Sequence, residues 1–286
     1  MAWMEVNDCA IRYEFRQGKG PVYVLMHEMG GTLESWTQTL SYFPASAQVL
    51  RYDQRGFGLS EKIVGEVSID QHIQDLAMLL DKLGIAQPVV LAGVAVGAGI
   101  AIGFAARYPE RVSHLVAFAP ACGIAAEKRD NAVLKASEIA QKGIRAEGQA
   151  IFDLAFPESL QTDKQKYHDY RCAWLASDSR SLGAIYKMLA GLDLSEALAK
   201  LSGNVVFIGG EFDALRPPAE IRRLSGLCPA AQALIIPSGH FMQVISPKYV
   251  ANMLLRIVND QESVQQLSDA FLNHEENRVG EVRHAA

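Results

Sequence analysis

The segment from Pro88 to Arg107 constrains the fold of this chain more than any other stretch. It opens with an uninterrupted apolar run, Val89–Val94, whose length is typical of a buried strand. A turn with Gly93 and Gly97 on either side of Ala95 follows, and small apolar residues then continue as a helix. Because glycine allows close approach of the backbone, the turn holds its central residue in a strained, exposed position at the sheet edge. The side chain presented there is a methyl group, which has no nucleophilic atom.

Strand-like and helix-like patterns alternate along the rest of the chain. Short apolar or alternating runs predict strands, and apolar residues at helical spacing, as in Ile69–Leu83, predict helices between them. Strands separated by helices imply an α/β fold with a mostly parallel eight-stranded sheet covered by helices on both faces. The predicted strands are Trp3–Val6, Ala10–Phe15, Val22–Met26, Gln48–Tyr52, Val89–Val94, Val112–Ala119, Val205–Ile208 and Ala233–Ile236.

The stretch between the sixth and seventh predicted strands has no strand pattern and is instead predicted to form several helices. An insertion at this point lies over the carboxyl edge of the strands, where ligands bind in open α/β sheets. We therefore predict a helical cap over residues 123–200. The core then comprises residues 1–122 and 201–262, and residues 263–286 form a polar C-terminal tail.

Composition narrows the classes of partner. The 286 residues carry a net charge of −5, which gives no sign of nucleic-acid binding, and no run approaches the ~18 apolar residues that span a bilayer. The four cysteines are widely scattered, so we predict no metal site and free thiols in a reducing cytoplasm. The expected partner is a small-molecule substrate. The sequence leaves the oligomeric state open, a homodimer included.

Four motifs follow the ends of predicted strands, in the order 27–31, 52–60, 93–97 and the pair 210–213 with 238–240. With these motifs the chain resembles the α/β-hydrolase superfamily over about residues 10–260. The resemblance is to the cap-bearing branch that includes enol-lactone hydrolases, carbon–carbon bond hydrolases and small esterases. It implies the α/β-hydrolase fold and chemistry without a cofactor.

His240 and Asp213 are the predicted acid–base pair, since each follows one of the last two predicted strands. An imidazole exchanges protons at neutral pH, and a carboxylate on its far nitrogen fixes the tautomer and stabilises the imidazolium. The resemblance further implies an oxyanion hole made by the backbone N–H groups of Val96 and Met29.

Ala95 stands where the resemblance implies a nucleophilic serine, and a methyl group cannot attack a carbonyl. Three explanations stay open. The serine was replaced deliberately by alanine, or the natural protein activates water or deprotonates its substrate through His240 and Asp213, or the protein binds a ligand without turnover. The leading hypothesis is a cofactor-independent hydrolase of a small ester, lactone or related carbonyl compound. The alternatives are a cofactor-free lyase or oxygenase using His240 as base, and a non-catalytic binding protein.

Glu28 is a second departure, because the family pattern has glycine there. We expect it at the surface or in a salt bridge, with Arg55 as its partner. A role in binding a cationic or hydrogen-bond-donating group is the alternative. The predicted substrate-binding residues are His27, Glu28, Phe241, Met242 and Trp174. Arg145 and Arg171 of the insertion are further candidates to bind a substrate carboxylate.

Overall fold

A computed structural model describes residues 1–259 and residue 266, and it contains an eight-stranded sheet. The strands are β1 Ala2–Val6, β2 Cys9–Arg16, β3 Lys19–Met26, β4 Ala47–Tyr52, β5 Val89–Val94, β6 Val112–Phe118, β7 Asn204–Gly210 and β8 Ala231–Ile236. Their spatial order is β1-β2-β4-β3-β5-β6-β7-β8. Strand β2 is antiparallel to β1 and β4, and the remaining neighbours are parallel. The prediction of a mostly parallel eight-stranded sheet is confirmed.

Helices separate most of the strands. They are α1 Thr37–Leu40, α2 Ile69–Lys82, α3 Val96–Arg107, α4 Arg129–Lys142, α5 Ile144–Glu147, α6 Gln149–Ala155, α7 Lys164–Leu175, α8 Ser179–Gly191, α9 Ser195–Lys200, α10 Pro218–Gly226, α11 Met242–Ile245 and α12 Pro247–Asn259. Short 3-10 helices cover Leu33–Trp36, Pro109–Arg111, Ala126–Lys128 and Glu158–Leu160. Among the described residues, no helix is both long and apolar enough to cross a membrane.

Both faces of the sheet are apolar, because successive side chains of a strand point to opposite sides. In β6, Leu115 and Ala117 belong to the core on the face that packs against α2 and α3. Val116 and Phe118 belong to the core on the other face, together with apolar residues of α12. This alternation explains why the strands read as continuous apolar runs, and it gives the helices on both faces that the sequence predicted.

Six helices, α4 to α9, form the insertion between β6 and β7. A backbone bridge between Gly123 and Asp193 ties the beginning of the insertion to its end. The sequence patterns predicted no particular helix at two places where the structure has one, α10 between β7 and β8, and the four-residue α11 after β8. Helix α10 is nine residues long and buries Ile221 and Leu224. The predicted tail, residues 263–286, lies outside the described residues except for residue 266.

Candidate active site

The turn between β5 and α3 has the strained backbone that the glycine pattern predicts. Ala95 has φ 52° and ψ −112°, a conformation that costs a non-glycine residue about 1–3 kcal/mol. A Cβ on Gly93 would lie 2.5 Å from backbone atoms of Gly97, and a Cβ on Gly97 would lie 2.5 Å from the carbonyl oxygen of His27. Glycine is therefore required on both sides of Ala95, since no side chain fits where these backbones cross.

Asp213 and His240 meet at the carboxyl ends of β7 and β8. The imidazole Nδ1–H of His240 donates to Asp213 Oδ2 over 2.8 Å, and both side chains are buried. The second carboxylate oxygen, Oδ1, accepts the backbone N–H groups of Leu215 and Arg216, each at 2.9 Å. The carboxylate is thus fixed by its own turn and in turn fixes the imidazole. The other ring nitrogen, Nε2, has no hydrogen-bond partner among the described residues.

A cavity of about 740 Å³ lies between the sheet edge and the helical insertion. It brings together seven of the residues singled out from the sequence, which are Glu28, Met29, Ala95, Val96, Trp174, His240 and Phe241. Asp213 lies behind His240 and does not line the cavity. Loops that are distant along the chain therefore converge on one enclosed space. Among the described residues, no cluster of three or more His, Cys, Asp or Glu side chains has a geometry that would hold a metal ion.

Two predicted substrate-binding residues, His27 and Met242, are placed elsewhere. His27 is fully buried, its Nδ1–H donates to the Glu28 carbonyl at 2.7 Å, and its Nε2 accepts the Gln54 N–H at 2.9 Å. Met242 is fully buried in the apolar core on the α12 side of the sheet. Neither side chain lines the cavity. Both are structural residues because their contacts are with the main chain or the core.

Glu28 contradicts the expectation of a surface or salt-bridged residue. Its side chain has no solvent exposure, and it accepts hydrogen bonds from Ser35 Oγ at 2.8 Å, from Gln243 Nε2 at 2.6 Å, and from the hydroxyl of Tyr170. The expected partner, Arg55, instead forms a salt bridge with Asp75. Three neutral donors thus replace a cation, an arrangement that satisfies a buried carboxylate without a counter-charge.

Tyr170 comes from α7 of the insertion, so the Glu28 carboxylate also joins the insertion to the core. Burial and the neighbouring charge of Glu28 raise the pKa of the Tyr170 phenol well above its usual value. The phenol therefore stays protonated and remains a hydrogen-bond donor at all physiological pH values.

The Gly30-Gly31 pair is explained by these contacts. A Cβ on Gly31 would lie 2.0 Å from Glu28 Oε1, and one on Gly30 would lie 2.3 Å from the indole nitrogen of Trp174. The indole N–H donates to the Met29 carbonyl at 3.1 Å, and Ser177 Oγ donates to the Gly30 carbonyl at 2.9 Å. The insertion thus packs directly on the loop that carries the Met29 N–H.

An aromatic cluster of the insertion extends to the cavity wall. Phe152 lies at its centre, with ring centroids between 5.3 and 6.4 Å from its neighbours. Those neighbours are Phe156, Tyr167, Tyr170, Trp174 and Phe241. Two rings that line the cavity, Trp174 and Phe241, therefore rest on a common apolar support.

Arginine positions differ from the sequence-based expectation. Arg145 and Arg171 do not line the cavity, and Arg171 donates to Gln149 Oε1 instead. Arg216, which the sequence analysis did not consider, does line it. Its position three residues after Asp213 is the sequence feature that could have indicated this placement. Cys122 also lines the cavity, but burial raises the pKa of its thiol to about 12, so it is a poor nucleophile at neutral pH.

Comparison with known proteins agrees with this architecture. The family model described as serine aminopeptidase, S33, matches residues 21–236. A 3-oxoadipate enol-lactonase 2 of Acinetobacter baylyi is 25% identical over 247 residues, covering 86% of this chain and 91% of the relative. A putative carbamate hydrolase RutD of Escherichia coli is 27% identical over 242 residues, covering 82% of this chain and 90% of the relative.

Solved structures share the fold at lower identity. A thermophilic esterase from Thermogutta terrifontis superposes with a TM-score of 0.82 at 22% identity, covering 91% of this chain and 99% of that one. The enol-lactonase of Burkholderia xenovorans gives a TM-score of 0.81 at 22% identity, with 89% and 98% covered. These likenesses establish the α/β-hydrolase fold.

Proposed function

The chain belongs to the serine aminopeptidase S33 family of α/β-fold hydrolases, and on that premise we propose that it hydrolyses a small ester, lactone or related carbonyl compound without a covalent enzyme intermediate. His240 is the general base, and Asp213 orients it. The backbone N–H groups of Val96 and Met29 form the oxyanion hole. Residues 123–200 act as the cap that closes the site.

The observation that carries this proposal is the hydrogen bond between Asp213 and His240, with His240 lining the same cavity as Ala95. An imidazole whose Nδ1–H is held by a carboxylate has its Nε2 lone pair available to accept a proton. Ala95 carries no hydroxyl. A water molecule hydrogen-bonded to this Nε2 is therefore the nucleophile, in place of the serine hydroxyl of covalent relatives.

The reaction has two balanced steps. The water oxygen attacks the carbonyl carbon while its proton passes to His240 Nε2, and the carbonyl oxygen becomes an oxyanion held by the two N–H groups. The carbon–oxygen bond to the leaving group then breaks, and the imidazolium returns the proton to the leaving alkoxide. Substrate and water are thereby converted into an acid and an alcohol, or into a hydroxy acid from a lactone.

The strained elbow supports the oxyanion part of the proposal. Because the hole is made of main-chain groups, the absence of a side-chain nucleophile leaves it unaffected. Preorganised donors of this kind are worth about 10²–10³-fold in rate each. Together with a general base worth about 10²–10⁴-fold, they provide catalysis of reactive esters and lactones.

The test is a screen of activated esters and lactones with the protein as it is and with His240→Ala. We expect His240→Ala to lower hydrolysis by at least 10²-fold, with His168→Ala, an exposed histidine on α7, as the unaffected control. Hydrolysis that is equal in His240→Ala and in the parent protein would overturn the proposal.

Two further measurements separate the alternatives. Reaction in ¹⁸O-labelled water places one label in the acid product if water attacks, whereas a lyase reaction leaves the product unlabelled.

Ala95→Ser restores a nucleophile beside the same base, so we expect it to accumulate a covalent acyl-enzyme visible by mass spectrometry, which the parent protein does not form.

A further inference from the structure

The cationic side chains that line the cavity differ in how their charge is neutralised. Lys128, Arg129 and Arg223 are exposed to solvent, whereas Arg216 is half-buried. Arg223 forms a two-point ion pair with Glu220, with nitrogen-to-oxygen distances of 2.7 and 2.8 Å. Solvent or a carboxylate therefore compensates each of these charges except that of Arg216.

The guanidinium of Arg216 is held by carbonyl groups alone. Its Nη1 donates to the Leu215 carbonyl at 2.9 Å, and Nη2 lies 3.5 Å from the Gly123 carbonyl. Within the part of the chain that the structure describes, no carboxylate forms an ion pair with it. The hydrogen bonds from Arg223 are the main cause that lowers the pKa of the Glu220 carboxyl, with a smaller contribution from the charge of Arg216. Both Glu220 oxygens are already bonded to Arg223. Most of the donor capacity of the guanidinium thus remains open to the cavity.

In contrast to Arg216, the carboxylates that line the cavity already have hydrogen-bond partners. Both oxygens of Glu28 accept hydrogen bonds from neutral side chains, and Asp193 Oδ1 accepts the Ser195 N–H at 2.9 Å. Asp193 is also exposed to solvent, and Glu220 is paired with Arg223. Among the described residues that line the cavity, the negative charges are therefore compensated by donors, a cation or solvent, whereas the Arg216 guanidinium has no ion-pair partner. This imbalance favours an anionic ligand.

Arg216 is also placed by the turn that places the base. Its backbone N–H donates to Asp213 Oδ1, and Asp213 Oδ2 accepts from His240. The guanidinium and the imidazole therefore emerge from one hydrogen-bonded unit at the end of β7 and β8. Both residues line the same cavity, so one ligand in that cavity can contact both side chains.

We propose that Arg216 binds a carboxylate of the substrate, so that the substrate is an ester or lactone carrying a second, free carboxylate. This inference rests on the proposed function for the identity of the reacting carbonyl. The planar guanidinium pairs with a carboxylate through two parallel hydrogen bonds, which orients the far end of the molecule toward His240. Neutral esters of the same length lack that anchor.

The experiment measures binding by calorimetry in the His240→Ala background, where hydrolysis does not interfere. The probes are monomethyl esters of succinic, glutaric, adipic and pimelic acid and the matching dimethyl esters. We expect at least one monomethyl ester to bind about 10–100-fold more tightly than its dimethyl counterpart, as a charge-assisted hydrogen-bonded pair gives. The chain length that binds best reports the spacing between Arg216 and the reacting carbonyl.

Two variants assign the effect to this residue. Arg216→Met should remove the preference for the monomethyl ester, and Arg216→Lys, which keeps the charge but not the two-point geometry, should retain part of it. Arg223→Met is the matched control, since its exposed charge is already paired with Glu220, and it should leave the preference unchanged. Thermal unfolding of each variant checks that the fold is preserved.

Equal affinity for charged and neutral esters, equal loss in Arg216→Met and Arg223→Met, or no binding by any probe would each overturn the proposal. These outcomes are distinct from failure of the proposed function. A protein that binds the monomethyl esters through Arg216 but does not hydrolyse them keeps this inference and loses the hydrolytic mechanism.

Discussion

Glu28 and Asp213 are both buried carboxylates beside the same cavity, with 0% and 2% of the residue exposed, and the kinds of partner they have differ. Glu28 accepts from a serine, a tyrosine and a glutamine side chain, none of which changes charge near neutral pH. Asp213 accepts from two backbone N–H groups and from the imidazole of His240, a side-chain type that ordinarily exchanges protons in that range.

The difference in partners separates a structural carboxylate from the one that orients the base in the proposed mechanism. The Glu28 carboxylate ties together elements from three parts of the chain, the loop after β3, helix α7 and helix α11. The Asp213 carboxylate is hydrogen-bonded to an imidazole whose second nitrogen has no partner within the described part of the chain. Burial of a carboxylate at a cavity is therefore no indication of a catalytic role unless a side chain of a type that exchanges protons near neutral pH hydrogen-bonds to it.

The largest effect is expected from Asp213→Asn. An asparagine amide in the place of Oδ2 donates to His240 Nδ1, which moves the imidazole proton to Nε2 and removes the base. We expect hydrolysis to fall by about 10²–10⁴-fold with the melting temperature nearly unchanged. The measurement is the hydrolysis rate on the best ester or lactone from the screen. An equal loss in Glu28→Gln would contradict the distinction between the two carboxylates.

Gly31→Ala is expected to destabilise the fold by about 1–3 kcal/mol, because the new methyl group would lie 2.0 Å from the Glu28 carboxylate. Denaturant unfolding measures the change. Gly226→Ala is the control, since no heavy atom lies within 4 Å of a Cβ there, and it should be neutral or slightly stabilising. Equal stability of the two variants would show that the Glu28 carboxylate moves freely.

Glu28→Gln should lower the free energy of unfolding by about 1–2 kcal/mol. The new amide N–H₂ would face one of the present donors, so a buried polar group would be left without a hydrogen-bond partner. Chemical unfolding compared with Glu66→Gln, an exposed glutamate paired with Lys187, measures the difference. A surface pair contributes little to stability, so the control should unfold at nearly the same denaturant concentration as the parent protein. A Glu28 variant as stable as the control would mean that its three hydrogen bonds contribute nothing net.

Tyr170→Phe is expected to have the smallest effect, about 1 kcal/mol at neutral pH, from loss of one hydrogen bond to Glu28. The folded pKa of Tyr170 is raised, so above pH about 10 the unfolded chain releases a proton that the folded chain retains. The parent protein then loses stability with rising pH and the variant does not, so their difference should narrow. A gap in unfolding free energy that widens between pH 9 and pH 11 would contradict the assignment.

Local patterns were enough to predict the sheet, because each strand is a short apolar or alternating run with its own turn signals. They also predicted the elbow from its two glycines, although only Gly93 is required by a contact nearby in sequence, with Gly97, whereas Gly97 is required by the distant His27 carbonyl. The alternation of strands and helices led to the correct fold class. The α10 helix was not predicted, although its residues Ile221 and Leu224 are buried at a helical spacing of three.

The environment of Glu28 could not be predicted, for a different reason. Its partners Tyr170 and Gln243 lie 142 and 215 residues away along the chain, and neither has any local feature that points to a carboxylate. Sequence reasoning could place Asp213 and His240 at strand ends, because strand ends share an edge. It had no rule that brings a tyrosine from an inserted helix to the same loop.

The packing of Trp174 and Ser177 on the Met29–Gly30 loop has a consequence for how a substrate enters. Both side chains hydrogen-bond to carbonyls of the loop that carries the Met29 N–H. A displacement of Trp174 and Ser177 away from this loop would break both hydrogen bonds. In the proposed mechanism, a displacement of the insertion that admits a substrate would therefore be thermodynamically linked to the position of the Met29 N–H.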